Sequence, residues 1–316
     1  MTDEPFPATI TASRLVTGMS RNSRAKWLFV AAIGALNLVW MKTAGFHFGH
    51  GFFTCAGAAG VLAAIALFYF YSQRDDRIRD YAHFAAQFVA LSLVMIPLEY
   101  LAVSTNAPLA DAYFAALDKA MGLDWPAWAR WVAVHPVIDC MLGTAYVSVW
   151  PQIILTFAYN VHARASERNS ELWWITVFAS FATVAVASLL PAVSAWVHHG
   201  FAQMNDFVHM QQFAGLRAGT IRTFDLANTQ GLIQLPSFHT VLAIMLVYNF
   251  RHHRWLFPIC LGLDGLVIIA CPTHGGHYFI DLPAGAIVAA LAIAAVRVWE
   301  RRLNPLRPHL VLAPVD

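Results

Sequence analysis

His274–Gly275–Gly276–His277–Tyr278–Phe279–Ile280–Asp281 lies between two long apolar runs, and Pro236–Ser237–Phe238–His239–Thr240 opens another. Each stretch brings ionisable side chains to a point where a hydrocarbon-like segment meets a loop. Apolar runs of this length, repeated through a chain, mark helices that cross a bilayer. Composition agrees. Of 316 residues, 59% are hydrophobic and 12% charged, against about 25% charged in a soluble domain. So few charges cannot cover a water-soluble core. The sequence predicts an all-α, polytopic transmembrane bundle.

Outward from those stretches, eight spans are expected, at about 27–43, 52–71, 84–104, 134–160, 172–196, 235–250, 255–271 and 277–297. The span at 134–160 should tilt or break near Pro136 and Pro151. Residues 105–132 interrupt the pattern with Asp111, Asp118, Lys119 and Asp124, too many charges for a span. Trp125, Trp128 and Trp131 recur there at three-residue intervals, so a helix in the headgroup region is expected, with its tryptophans toward the acyl boundary. The chain divides into a tail at 1–25, N-terminal helices plus the interfacial helix at 26–135, a catalytic membrane core at 136–298 and a tail at 299–316. Residues 14–44 resemble a signal sequence but lack a small-residue cleavage site, and read as a retained first helix. The four cysteines sit in or beside apolar runs with no zinc or redox spacing, and read as small apolar side chains.

Eight spans place both ends of the chain on one side. Fifteen of the twenty basic residues fall there, among them Arg74, Arg77, Arg79, Arg164, Arg168, Arg251, Arg254, Arg301 and Arg302. Lys42, Lys119, Arg130, Arg217 and Arg222 fall on the other. The positive-inside rule then puts both termini in the cytoplasm and the loops bearing Arg217, His239 and His277 outside it, as in a bacterial inner membrane with a periplasmic site. A formal net charge of +2 gives no reason to expect nucleic acid.

The chemistry follows from three side chains. His277 and Asp281 are four apart and would stack on one face if the last span began near Gly276. The carboxylate would take the Nδ1 proton and leave Nε2 free to attack. An aspartate within a span is costly unless paired, so its presence is expected to serve a function. His239 opens a different span from the same side, after Pro236 and the candidate cap Ser237. One imidazole can take a phosphoryl group covalently while the other protonates a departing lipid alkoxide. Arg217, Arg222, His274 and Ser237 are the candidates for binding the phosphate oxygens, and His209, Asp206 and Asp225 for lining the entrance. His198 and His199 read as interfacial. A metal site from His239, His274, His277 and Asp281 is chemically permissible, but no tight ligand motif accompanies it; no metal ion or cofactor is expected.

At these residues the sequence resembles the type 2 phosphatidic acid phosphatase (PAP2) superfamily, in particular its sphingolipid-synthase-like branch that contains inositol phosphorylceramide synthase. The second motif of that superfamily, Pro-Ser-Gly-His, appears as Pro236–Ser237–Phe238–His239. In the third, His277 and Asp281 match, while Ala270 and Cys271 stand where a Ser-Arg pair is usual. The first motif, Lys-x6-Arg-Pro, is absent; Arg217–Leu226 occupies its region. The sphingolipid-synthase branch likewise keeps a His–His–Asp set without the third-motif arginine, and Gly276–Leu282 looks like its last motif. The resemblance covers about 140–295. It implies a PAP2-like core in which His277 is the nucleophile, Asp281 its partner and His239 the proton donor. It also implies metal-independent transfer of a head group from a glycerophospholipid to a lipid alcohol. With water as acceptor the same residues make a phosphatase. A homo-oligomer is compatible with either. A third class, a lipid or anion transporter, would use these polar groups without bond chemistry.

Overall fold

The computed structural model describes residues 21–72, 74–204, 206–226 and 229–303; most of both expected tails lies outside them. In chain order come α1 (Arg21–Ala44), α2 (His50–Ser72), α3 (Asp76–Val103), α4 (Asp111–Ala120), α5 (Trp125–Ala133) and α6 (Pro136–His162). Then follow α7 (Ser166–Leu189), α8 (Ala195–His198), α9 (Val208–Ala218), α10 (Phe238–Asn249), α11 (Leu256–His274) and α12 (Asp281–Leu303). Among the described residues seven helices, α1, α2, α3, α6, α7, α11 and α12, are long and apolar enough to cross a membrane. Without water to satisfy N–H and C=O groups, an apolar run must close its own hydrogen bonds, and the helix is how a single segment does so. The chain is an integral membrane protein with multiple apolar helices.

Polar side chains at the breaks set the helix ends. Asp75 accepts from the amides of Arg77 and Ile78 at the start of α3, Asp124 from Ala127 in α5 and Ser237 from Thr240 in α10, each satisfying an amide the first turn leaves open. Pro136 is the first residue of α6, and Pro151 sits inside that helix without ending it. Of the tilt or break expected there, the break is absent: proline is compatible with the first turn, and one lost bond is tolerated in a packed helix.

The shortest apolar helix lies at the centre. α10 packs against α6, α7, α11 and α12, and its Val241, Ala243, Met245 and Leu246 join Trp173, Ile175, Val267 and Ala289 in the main core. Twelve residues rise about 18 Å, against about 30 Å of hydrocarbon in a bilayer. Both ends of α10 are nonetheless inside the protein. At one, Asn249 joins Asn160 and Asn169. At the other, Ser237 is fully buried beneath the loop that precedes α12. Non-helical backbone at such depth is tolerated where protein surrounds it.

An all-α expectation missed one small element. β1 (His47–Phe48), just after α1, pairs in parallel with β2 (Thr223–Phe224), in register His47 to Thr223. The amide of Gly51 also donates to Asp225 Oδ1 at 3.0 Å. The linker before α10 is thereby stitched to the α1–α2 turn.

Candidate active site

α12 begins at Asp281, not near Gly276, so His277 and Asp281 do not stack on one helix as expected. Gly275 caps α11, Gly276 adopts φ +67°, and His277 stands in the turn that follows. The first carboxylate of α12 reaches back into that turn. Asp281 Oδ2 accepts from the Tyr278 amide at 2.8 Å and lies 3.2 Å from His277 Nδ1. Both side chains are buried, at 0% and 4% exposure. A carboxylate so placed holds the Nδ1 proton and leaves Nε2 with the lone pair.

The same corner carries His239. The Ser237 amide donates to the Asp281 carbonyl at 3.0 Å, which ties the start of α10 to the start of α12. Gly285 permits that approach, since a Cβ there would stand 2.5 Å from Ser237 O. Two residues beyond Ser237, the His239 ring stacks on Tyr146 at 4.1 Å and meets Trp150 edge-on at 6.1 Å. His239 Nδ1 is 3.1 Å from the Tyr146 hydroxyl, and its buried Nε2 has no partner. The two imidazoles converge on Tyr146: the point a Gly275 Cβ would occupy is 2.8 Å from both the Tyr146 hydroxyl and His277 Cδ2. A side chain at 275 would fill the gap between them.

Residues 105–132, expected as an interfacial helix from their tryptophans, also pack inward on the candidate site. They form the floor of the His277 turn. Trp125, 1% exposed, donates its indole N–H to His277 O at 2.9 Å. Asp118 accepts from the amides of Phe279 and Ile280, each at 2.9 Å. Asp111 accepts from the amides of Val193 and Ser194 and, at 2.8 Å, from the Tyr278 hydroxyl; Ser194 Oγ donates to Gly276 O. The physical reason is backbone accounting: a buried turn outside any helix needs partners for its peptide groups. Burial pushes the Asp118 carboxyl above its ordinary value against the pull of the two amides, and raises the Tyr278 phenol strongly, with Asp111 adding to it. Tyr278 is thus a firm donor. Of the three tryptophans, Trp131 is the exposed one.

The other candidates are placed unevenly. His274 ends α11 with Nε2 3.3 Å from Asp139 Oδ1 and its ring 6.5 Å from Tyr146. Arg217 donates through Nη2 to Ala107 O at 2.7 Å, while its buried Nη1 has no partner. Burial lowers its pKa and the Asp111 charge opposes this. Arg222 does not share that setting: it donates to the carbonyls of Leu216 and Ile221 and lies over the Phe46 ring, bracing the end of α9. Ser237 is also committed elsewhere, accepting from Thr240 N and donating to Cys271 Sγ. His209 comes near the site, its pKa lowered by burial, with Gln230 opposing and the His277 charge assisting. Asp206 caps a turn at Gln203 N, and Asp225 holds Gly51. His199 stacks on Trp125 at 5.3 Å.

Tyr146, Asp111, Asp118 and Trp125 were the residues that sequence reasoning passed over. Asp111 and Asp118 showed as carboxylates between apolar runs and Trp125 as part of a tryptophan repeat, all three read as an interfacial helix, while nothing in the sequence marked Tyr146. Among the described residues no cluster of three His, Cys, Asp or Glu side chains is arranged to hold a metal ion.

No curated protein and no solved structure matches this chain. Residues 112–295 match the family model of the PAP2 superfamily, a longer stretch than the motifs alone suggested, since it takes in nearly all of α4 and all of α5. That match covers more than half of the chain and contains His239, His277 and Asp281. The chain belongs to the PAP2 superfamily.

Proposed function

We propose that this chain is a metal-independent phospholipid head-group phosphotransferase that works through a phosphohistidine on His277, like the sphingolipid-synthase branch its motifs resemble. The observation that carries the reading is the pair of imidazoles around Tyr146, His277 buried and His239 half-buried with its Nε2 atom sealed. One has Nδ1 on a buried carboxylate, and the other has an open Nε2. In the first half-reaction His277 Nε2 attacks phosphorus, the bond from phosphorus to the diacylglycerol oxygen breaks, and His239 protonates that oxygen. In the second, an acceptor hydroxyl attacks the phosphohistidine, gives its proton to the now neutral His239, and releases His277. Arg217 Nη1 and His274 are the groups we assign to the phosphate oxygens, because phosphoryl transfer depends mainly on positioning and fixed charge. Arg222 and Ser237 are not assigned there, since both are committed to the scaffold.

Transfer is favoured over hydrolysis by how little of this corner meets solvent. His277 is 4% exposed and Ser237 0%, and a site that excludes water protects a reactive intermediate for the larger acceptor. We further propose that α10 completes eight passes, with both termini cytoplasmic and the His277 turn extracytoplasmic. Arg79, Arg168, Arg251 and Arg254 then lie on the cytoplasmic side.

Purified protein incubated with mixed phospholipids and candidate lipid alcohols, followed by lipid mass spectrometry, tests the reading. A product carrying both partners supports transfer, and free phospho-head group supports hydrolysis. An acid-labile phosphate should be trapped on His277 and vanish in His277→Ala. Absence of any trapped phosphate during turnover sinks the covalent mechanism.

A further inference from the structure

A second carboxylate–imidazole pair stands beside the dyad, and its carboxylate has no part in the two half-reactions. Asp139, Gly143, Tyr146 and Trp150 recur along α6 at the spacing that puts side chains on one face of a helix. Each position on that stripe meets an imidazole from a neighbouring helix. Tyr146 and Trp150 hold His239 of α10. Asp139 and Gly143 hold His274, the last residue of α11. Asp139 Oδ1 is 3.3 Å from His274 Nε2, and a Cβ at position 143 would stand 3.0 Å from that same nitrogen. Glycine there lets the ring lie over the backbone of α6.

The partners of His274 divide its two nitrogens. An ionised carboxylate only accepts, so Nε2 carries the proton it shares with Asp139. Nδ1 lies 3.1 Å from the Thr273 hydroxyl, a group that donates or accepts as its surroundings require. The other contact of that hydroxyl, to Ala270 O, is long at 3.5 Å. Capacity for a ligand is therefore at the Nδ1 edge, where the ring N–H and the hydroxyl lie side by side. Asp139 also stands in the first turn of α6, where the helix dipole favours a carboxylate. That preference is met anywhere around the helix, whereas Asp139 takes the stripe that faces His274, with the clearing at Gly143 one turn on.

We propose that Asp139 is a positioning residue for donor binding, and that Thr273 is a further ligand of the lipid's phosphate. Asp139 fixes the His274 ring through Nε2, and Nδ1 and the Thr273 hydroxyl then donate to one phosphate oxygen each. In the bound state the imidazolium lies between two anions, the carboxylate on one edge and the phosphate on the other. Fixed donors of this kind are what phosphoryl transfer requires of a site. The inference rests on the assignment of His274 to the phosphate made above and adds what orients it.

The test is the rate of head-group release by the full chain in detergent micelles, measured against the mole fraction of phospholipid donor. Asp139→Ala should raise KM about tenfold, the worth of one hydrogen bond to a charged group, with a far smaller change in kcat. Asp139→Glu keeps the carboxylate on an exposed face and should recover most of that loss. Gly143→Ala should also raise KM, although alanine favours a helix over glycine, so a loosened α6 cannot be the cause. Asp139→Ala should add nothing to His274→Gln, because the two act as one network. Wild-type KM in both Asp139→Ala and Gly143→Ala, a fall in kcat at constant KM, or additive effects in the double variant overturns the inference. Binding of inorganic phosphate to His277→Ala protein, followed by phosphorus NMR, separates this claim from the reaction. In that background Asp139→Ala should weaken phosphate binding about tenfold. Weakened binding in a chain that transfers nothing condemns the reaction and keeps the pair. Transfer at wild-type KM, with phosphate binding untouched by Asp139→Ala, condemns the pair and keeps the reaction.

Discussion

The two ends of α10 use similar polar side chains in opposite ways. At the end near Asn249, amide finds amide: Asn160 Nδ2 donates to Asn169 Oδ1 at 2.8 Å and to Asn249 Oδ1 at 3.0 Å. Arg168 donates to Asn249 O, and Glu171 accepts from Tyr248 at 2.5 Å and faces Arg251 at 3.5 Å. At the His239 end, buried atoms stay open, namely His239 Nε2, Asp281 Oδ1 and, farther out, Arg217 Nη1. A closed network rigidifies a core, whereas open buried donors and acceptors are costly unless a ligand completes them. One end of this helix is built for staying folded. The other leaves buried polar atoms open, which the proposed substrate would complete.

The sharpest way to break that contrast is at the dyad. His277→Ala and Asp281→Asn should each lower head-group release by about 10³-fold or more, since a nucleophile and its orienting carboxylate act as a unit. Both should elute as wild type in gel filtration. Near-normal turnover in Asp281→Asn removes the carboxylate from the chemistry. Next in size, His239→Gln should cost about 10²–10⁴-fold, the range of a positioned general acid. Tyr146→Phe, which loses only the contact to Nδ1, should cost less than His239→Gln.

Trp125→Phe probes the floor of the turn. It removes the bond to His277 O but keeps most of the packing, so turnover should fall about tenfold with little change in KM. Asn249→Ala should do the reverse. It should lower thermal stability by about 1–3 kcal/mol through unpaired amides while turnover per folded molecule is kept. Loss of turnover in folded Asn249→Ala would show that the two ends are not separable.

The smallest effect is expected from His209, whose pKa burial holds below its ordinary value of 6.5. The folded state therefore favours the neutral ring. Its contribution is fully present above pH 6.5 and is lost as the pH falls through the lowered value. His209→Gln should flatten that limb of a stability-against-pH profile measured by circular dichroism.

Much of this was legible in residue order. Apolar run length alone located all seven long helices and α10, but not all of their ends: α7 stops at Leu189, where 196 was expected, α12 runs to Leu303, past 297, and α1, α3 and α7 start early, at Arg21, Asp76 and Ser166, where about 27, 84 and 172 were expected. Those first turns are charged, and hydropathy cannot see a helix that continues into polar residues. The pairing of His277 with Asp281 was foreseen, but for the wrong reason: Gly276 at φ +67° diverts the chain, so the contact is made across a turn. The role of α4 and α5 was not legible. Asp118 and a solvated aspartate look alike until the amides of Phe279 and Ile280 are seen to face it.

The order of residues determined that this chain lives in a bilayer, where its helices run and which imidazoles and carboxylate could do chemistry, because hydrophobic run length and residue type are local properties. Only the tertiary structure decided which polar groups are left open and which are closed. Arg222 went to a helix end, Ser237 to a thiol and Trp125 beneath His277. Hydrogen-bond satisfaction in a water-poor interior depends on partners that the fold brings together, 152 residues apart for Trp125 and His277, and residue type alone does not name them.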